Sequence, residues 1–223
     1  MLNHTELNDL ILKKIRSQSS QQENSLDRWY GQCYPVLIDS LSRERNLKSK
    51  VTIAIVATGS WVPRIITGDI DDELINQFRG YYNSIPNTIE EISIDPVNKK
   101  KKSNVKSNAN TRFRLSEYYM HCNRLVNSVS IDRADKNAST VSKFMHFLSP
   151  TVFPIFDINI AKRVRITLSK SSINLSMNQY SKYIAAISVL KEKHDDTWRR
   201  IENLAEESEC SPIRIIDKIL FRE

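Results

Sequence analysis

The sequence predicts a mainly α-helical protein. Apolar residues recur every three or four positions in most segments, which is the period of a helix that buries one face. No series of segments alternates apolar and polar residues in the manner of half-buried strands. The 223 residues can form one substantial core, and 40% hydrophobic with 26% charged content is typical of a soluble globular protein.

The N-terminal part is expected to hold three helices and one ambiguous segment. Thr5 is a candidate N-cap of the first helix. A second helix is expected over residues 26–41, where Pro35 could kink or split it. The β-branched residues at 51–56 suit a strand by propensity and a buried helix by their lack of alternation, and periodicity leaves both open. Acidic residues begin a further helix over 69–82.

Three more helices are expected in the C-terminal part. Helical patterning covers residues 113–129 and returns over 177–193. The last helix is expected over 212–221, because Pro212 directly after Ser211 is a favourable helix start.

Between these two parts lies a polar, basic stretch. Residues 96–111 include four consecutive lysines and few large apolar groups, which is typical of an exposed loop. Lys100 and Lys101 could contact phosphate there, although a solvated linker explains them as well. We expect a single unit over 1–223, which could divide into two helical lobes, about 1–112 and 113–223.

Several function classes lack their sequence signatures. All four glycines precede residue 81, so there is no glycine-rich phosphate loop. The four histidines have no metal-ligand spacing, and no Gly-x-Ser-x-Gly elbow occurs, so we expect no metal and no cofactor. No signal peptide or membrane-spanning run is visible. The three separated cysteines are expected to be reduced thiols of a cytoplasmic protein: Cys33, Cys122 and Cys210.

Positive charge is concentrated in the middle of the chain. Residues 99–190 carry 16 Lys and Arg against 4 Asp and Glu, a balance of +12, although the whole chain carries only +7. Such a surface would bind a polyanion through its phosphates, with an affinity that falls as salt rises. A solvated basic face is the alternative, and we favour nucleic acid.

One carboxylate lies in this basic region within an almost wholly apolar setting. Asp157 follows Phe153, Pro154, Ile155 and Phe156 and is itself followed by isoleucines. An ionised carboxylate there loses solvation, so it needs a partner or a chemical role. The simplest role is to cap the helix that follows it.

The residues around Asp157 also form a recognisable pattern. A helix and a proline are followed by Phe-Pro-Ile-Phe-Asp-Ile-Asn-Ile-Ala-Lys-Arg-Val, the whole segment covering residues 139–164. This arrangement resembles the catalytic segment of the helix-hairpin-helix DNA glycosylase superfamily, whose pattern is Val-Asp-Thr-His-Val-x-Arg-Val. Asp157 falls on the aspartate of that pattern, Asn159 on its histidine, Ile160 on its valine and Lys162 on its arginine.

Two departures from the family pattern precede this aspartate. The family's hairpin reads Leu-Pro-Gly-Val-Gly, whereas residues 132–142 contain no glycine. Ser139 and Thr140 at the start of the helix are the candidate replacement donors to phosphate. Lys143 is the candidate for the lysine of bifunctional members, but it lies only fourteen residues before Asp157, which is closer than in the family.

The resemblance implies a helix-hairpin-helix DNA-glycosylase-like helical bundle that removes a damaged or modified base from double-stranded DNA. Asp157 would stabilise the positive charge that develops on the sugar, and Lys143 could attack C1′ to form a Schiff base. The excised base would be flipped into a pocket. Candidate pocket residues are Trp29, Tyr30, Trp61, Tyr118 and Asn159. Candidate nucleic-acid contacts are Ser139, Thr140, Lys162, Arg163, Arg165, Lys100 and Lys101.

Other interpretations fit the same residues. The protein could be a non-catalytic DNA- or RNA-binding module of this fold, in which Asp157 is only a helix cap. It could act in phage defence on a modified phage DNA, or bind an acidic protein through its basic loop. Lys143 could be a surface or phosphate-binding lysine, and His146 is more typical of a hydrogen-bonded core histidine than of a catalyst. Oligomeric state is not indicated by the sequence.

Overall fold

The computed structural model describes residues 4–17, 25–61, 68–92, 94, 113–129, 138–164 and 175–221. Within these ranges it contains ten α-helices and one 3₁₀ turn, so the protein is mainly α-helical, as the sequence predicts. The helices are α1 His4–Ser17, α2 Ser25–Arg43, α3 Leu47–Trp61, α4 Asp72–Asn83, α5 Leu115–Ser128, α6 Ala138–Leu148, α7 Ile158–Arg163, α8 Met177–Lys193, α9 Asp195–Glu207 and α10 Pro212–Phe221. The 3₁₀ turn is Ile89–Glu91.

The ambiguous segment at 51–56 is helical and lies inside α3. Val51, Ala54 and Ile55 are buried, and their spacing of three and four residues places them on one face, which packs against α6. Burial of this face therefore overrides the strand propensity of the β-branched residues. The helix α2 continues through Pro35, whose side chain is exposed.

Several helix boundaries differ from expectation. α8 and α10 have the predicted ends, whereas α1 already begins at His4, one residue before the expected cap Thr5. Asp71 caps α4 by accepting a hydrogen bond from the amide of Glu73 at 2.9 Å. No helix is expected over 195–207, yet α9 lies there, and its buried residues Trp198, Ile201 and Ala205 recur at helical spacing.

The core is organised around α6. Residues 140–148 are all buried, and α6 packs against α2, α3, α5 and α8. α10 forms the second centre, because it packs against α1, α7 and α9. The contacts of α3 with α6, and of α1 with α8 and α10, cross the boundary near residue 112 between the two expected lobes.

None of the helices in the described ranges combines the length and apolar character required to cross a bilayer.

The aromatic core is sensitive to truncation at Phe153. Its side chain is fully buried and stacks on Tyr118, with ring centroids 5.2 Å apart. We expect Phe153→Ala to lower the free energy of unfolding by about 3–5 kcal/mol, because it removes the ring and leaves a cavity. Urea denaturation followed by circular dichroism measures this change. The control is Val36→Ala, at a side chain that is 65% exposed, and it should change stability by less than about 0.5 kcal/mol.

Candidate functional site

The candidate site is built on residues 153–157, a buried segment without helix or strand that connects α6 to α7. Two side chains of α6 bind its backbone. His146 Nδ1 lies 2.7 Å from the carbonyl oxygen of Phe153. Ser142 Oγ accepts from the amide of Phe156 at 2.9 Å, and its one proton is shared between the carbonyls of Ser139 at 3.0 Å and Phe156 at 3.2 Å. α6 therefore holds both ends of the segment.

Two further helices bind the middle of this segment. The hydroxyl of Tyr180, on α8, donates to the carbonyl of Pro154 at 3.0 Å. Both carboxylate oxygens of Asp217, on α10, accept from the amide of Ile155 at 3.1 Å. Because the segment has no neighbouring strand to pair with, these side chains satisfy the backbone groups that burial would otherwise leave unpaired.

His146 is neutral and has a defined tautomer. The Phe153 carbonyl can only accept, so Nδ1 carries the proton, and Nε2 accepts from the hydroxyl of Tyr34 at 2.7 Å. Complete burial, together with the charge of Arg214, lowers the pKa of His146 to about 3. His146 is thus a hydrogen-bonded core histidine that positions the segment.

Asp217 is the second carboxylate behind the segment. Its side chain is buried, with Oδ2 3.7 Å from His146 Nδ1. Burial raises the pKa of Asp217 well above its usual range, while the Arg214 charge and the Ile155 amide act in the opposite direction. The family pattern around Asp157 does not include Asp217. A carboxylate among isoleucines is nevertheless a sequence signal of a buried acid, and Asp217 shares it with Asp157.

Asp157 is the N-cap of α7 and is 7% exposed. Its Oδ1 accepts from the amides of Asn159 and Ile160, each at 2.9 Å. Its Oδ2 accepts no hydrogen bond from the described part of the chain. The helix therefore fixes one oxygen of the carboxylate.

Lys143 and Asp157 each adjoin a residue of one hydrogen-bonded pair. Ser142, which precedes Lys143, is hydrogen-bonded to Phe156, which precedes Asp157. The Lys143 side chain is 9% exposed, and its Nζ donates to Ser139 Oγ at 3.2 Å. The lysine stem is thus largely desolvated.

The residues expected to bind phosphate differ in how exposed they are. Lys162 is exposed and Ser139 is half-buried. Thr140 is 2% exposed, so its hydroxyl faces the interior and does not serve as a surface donor, contrary to expectation. Arg163 is half-buried against α1, in a small cleft of about 320 Å³ that Glu6 and Asp9 also line. Arg165, Lys100 and Lys101 lie outside the described residues.

The structure describes the side chains of only two of the five residues expected in the base pocket, Tyr118 and Asn159. Tyr118 is fully buried and stacks between Phe78 and Phe153, at centroid distances of 5.6 and 5.2 Å. It is a core residue and does not line a pocket, which corrects the expectation. Asn159 is exposed on the first turn of α7, beside Asp157. The side chains of Trp29, Tyr30 and Trp61 lie outside the described residues.

In the described ranges, no group of three His, Cys, Asp or Glu side chains could hold a metal ion. No family model, no curated protein and no solved structure matches the chain. The functional interpretation therefore depends on the geometry around Asp157 and on the sequence pattern of residues 139–164.

The buried imidazole predicts an acid-sensitive fold. The pKa of His146 is lowered from 6.5 to about 3, so the unfolded state binds one more proton between these values, and stability falls as pH falls through this window. His146 contributes at most ~1.4 kcal/mol per pH unit to the slope of unfolding free energy against pH. We expect His146→Gln to flatten the dependence of unfolding free energy on pH between 6.5 and about 3.

Urea unfolding of both proteins at a series of pH values measures this slope. The control is His121→Gln, because the ring of His121 is only partly buried and carries a smaller lowering of its pKa. If the unfolding free energy of the wild type and of His146→Gln changed equally with pH, His146 would not be neutral in the folded protein over this range.

Proposed function

We propose that the protein is a DNA glycosylase that removes a damaged or modified base, with Asp157 as the catalytic carboxylate. The observation that carries this proposal is the state of Asp157: a nearly buried carboxylate with one oxygen fixed by two amides and the other without a partner in the described residues. A capping role alone needs one oxygen. The second is oriented by the same bonds and supplies a fixed negative charge.

The chemistry that suits such a carboxylate is cleavage of an N-glycosidic bond. As the bond to the base breaks, positive charge develops on the sugar, and a fixed anion near C1′ lowers the energy of that transition state. Asp157 could also take the proton of an attacking water. Because three helices hold the segment, the carboxylate does not have to reorganise during the reaction.

Lys143 supplies a second group for the same reaction. If its amine is the nucleophile, it attacks C1′ as the base leaves, and loss of a proton with ring opening gives a Schiff base that leads to strand cleavage. Its side chain is largely buried, and its Nζ lies 3.2 Å from Ser139 Oγ, at the start of α6.

Charge supports DNA as the partner. Residues 99–190 have a balance of +12, and Lys162 is exposed about one helical turn after Asn159. A phosphate held at Lys162 would place the adjoining nucleotide near the carboxylate. The flipped base would then lie toward Asn159, whose amide can hydrogen-bond a base edge.

The capping bonds also favour a second candidate, a non-catalytic nucleic-acid-binding module in which Asp157 has only a structural role. The two candidates differ in the effect of a substitution that preserves the cap. Asparagine is as good an N-cap as aspartate but carries no charge.

We expect Asp157→Asn to abolish base release while the fold and DNA affinity are kept. The loss should be about a hundredfold or more, because a charge aimed at the transition state disappears. The assay is the formation of alkali-labile abasic sites in a panel of natural and phage DNAs that carry different modified bases. Asp71→Asn is the matched control, since Asp71 caps α4 through the amide of Glu73 in the same way.

Both asparagine variants should unfold within about 1 kcal/mol of the wild type. Full activity of Asp157→Asn would exclude catalysis by this carboxylate. DNA binding that falls with salt, combined with no base release from any DNA in the panel, would instead support the non-catalytic module.

We expect borohydride to trap a covalent complex between the protein and the DNA that it processes, and Lys143→Gln to abolish trapping. Reduction of the Schiff base fixes the amine to the sugar. The control is Lys182→Gln, at an exposed lysine of α8, which should trap like the wild type. Base release without any trapped complex would show that water, and not Lys143, is the nucleophile.

A further inference from the structure

A second concave surface lies outside the candidate site. It is a cleft of about 790 Å³ between α2, the turn after α6, the last turns of α9 and the start of α10. Much of its lining is apolar and rigid, with Pro35 and Ile38 on one wall and Pro150 and Pro212 on another. A cleft of this size and lining can take up apolar side chains of another molecule.

Four carboxylates line the same cleft. They are Asp39, Glu202, Glu206 and Glu209. Arg43 pairs with Asp39 at 2.9 Å, and the indole of Trp198 donates to Glu202 at 2.7 Å. Among the described lining residues there is no lysine or arginine. Arg43 neutralises Asp39, and the guanidinium of Arg214 lies 4.5 Å from the ring centroid of Tyr34, another lining residue. Glu202, Glu206 and Glu209 still give the cleft an acidic balance, although the chain as a whole carries +7.

We infer that this acidic cleft docks a basic, amphipathic segment of a partner protein. The apolar walls would hold its apolar side chains, and the carboxylates would pair with its lysines or arginines. Charge complementarity selects this occupant, because Glu202, Glu206 and Glu209 would repel DNA or an acidic peptide. Opposite charge at such a rim chiefly sets specificity and the rate of association.

The side chains around the cleft allow its charge and its shape to be tested separately. Glu206 lines the cleft, whereas Glu207 is the next residue of α9, is exposed and lies outside the lining. Thr151 is exposed in the turn after α6 and also lines the cleft. Thr151→Trp would place a large side chain in part of the cleft without changing its charge.

The probe is a fluorescein-labelled peptide of three Leu-Lys-Lys-Leu repeats, with a Leu-Glu-Glu-Leu peptide as the charge-reversed control. Fluorescence anisotropy of the full chain, without DNA, measures the dissociation constant. We expect the basic peptide to bind, the acidic peptide not to bind, and Glu206→Lys to weaken binding by about fivefold or more. Thr151→Trp should weaken binding as well, and Glu207→Lys should leave it unchanged.

Two results would overturn this inference. Absence of binding by the basic peptide would do so, and so would equal weakening by Glu206→Lys and Glu207→Lys, because that pattern indicates general charge attraction. Self-association that Thr151→Trp abolishes, measured by sedimentation, would make a second copy of this chain the occupant instead. None of these outcomes depends on base release, so failure here leaves the proposed glycosylase reaction untouched.

Discussion

The fold depends on hydrogen bonds to the backbone amides and carbonyls of residues 153–157, which lie in the core. A buried segment outside any helix or sheet has no ladder to pair its amides and carbonyls, and each unpaired group would cost about 1–3 kcal/mol. The pairing comes from His146 and Ser142 on α6, Tyr180 on α8 and Asp217 on α10. These bonds link α6, α8 and α10 through one segment. α7 begins directly after residue 157, at the C-terminal end of that segment.

Local signals were sufficient for much of the fold. Helical patterning predicts α8, and Pro212 after Ser211 predicts the start of α10. In the structure a capping box at Ser176 begins α8, again through a few adjacent residues. Local pattern cannot settle the conformation of residues 51–56, because it is decided by packing on α6, a contact across about ninety residues of sequence. The helix α9 does carry a local signal, since Trp198, Ile201 and Ala205 recur at helical spacing after two acidic residues.

The candidate site could be predicted in part. Asp157 stands out because an acid in an apolar run is costly, and its capping bonds follow from its place before a helix. The orientation of neighbouring side chains could not be read in the same way. Thr140 and Tyr118 have residue types suited to phosphate and base contacts, but both face the core, since the faces of α5 and α6 are set by the helices packed around them. The cleft along α9 is likewise assembled from separate parts of the chain.

The side chains that bind residues 153–157 and support their partners come from distant parts of the chain. Helices form from contacts between near neighbours, but Ile155 and Asp217 are 62 residues apart, and Tyr34 and His146 are 112 apart. Such contacts close long loops, and closing them costs more chain entropy than a local contact does. The capping bonds of Asp157 are local, whereas its buried setting depends on helices from both ends of the chain. A truncated chain would therefore retain helices and positive charge while exposing this carboxylate to water.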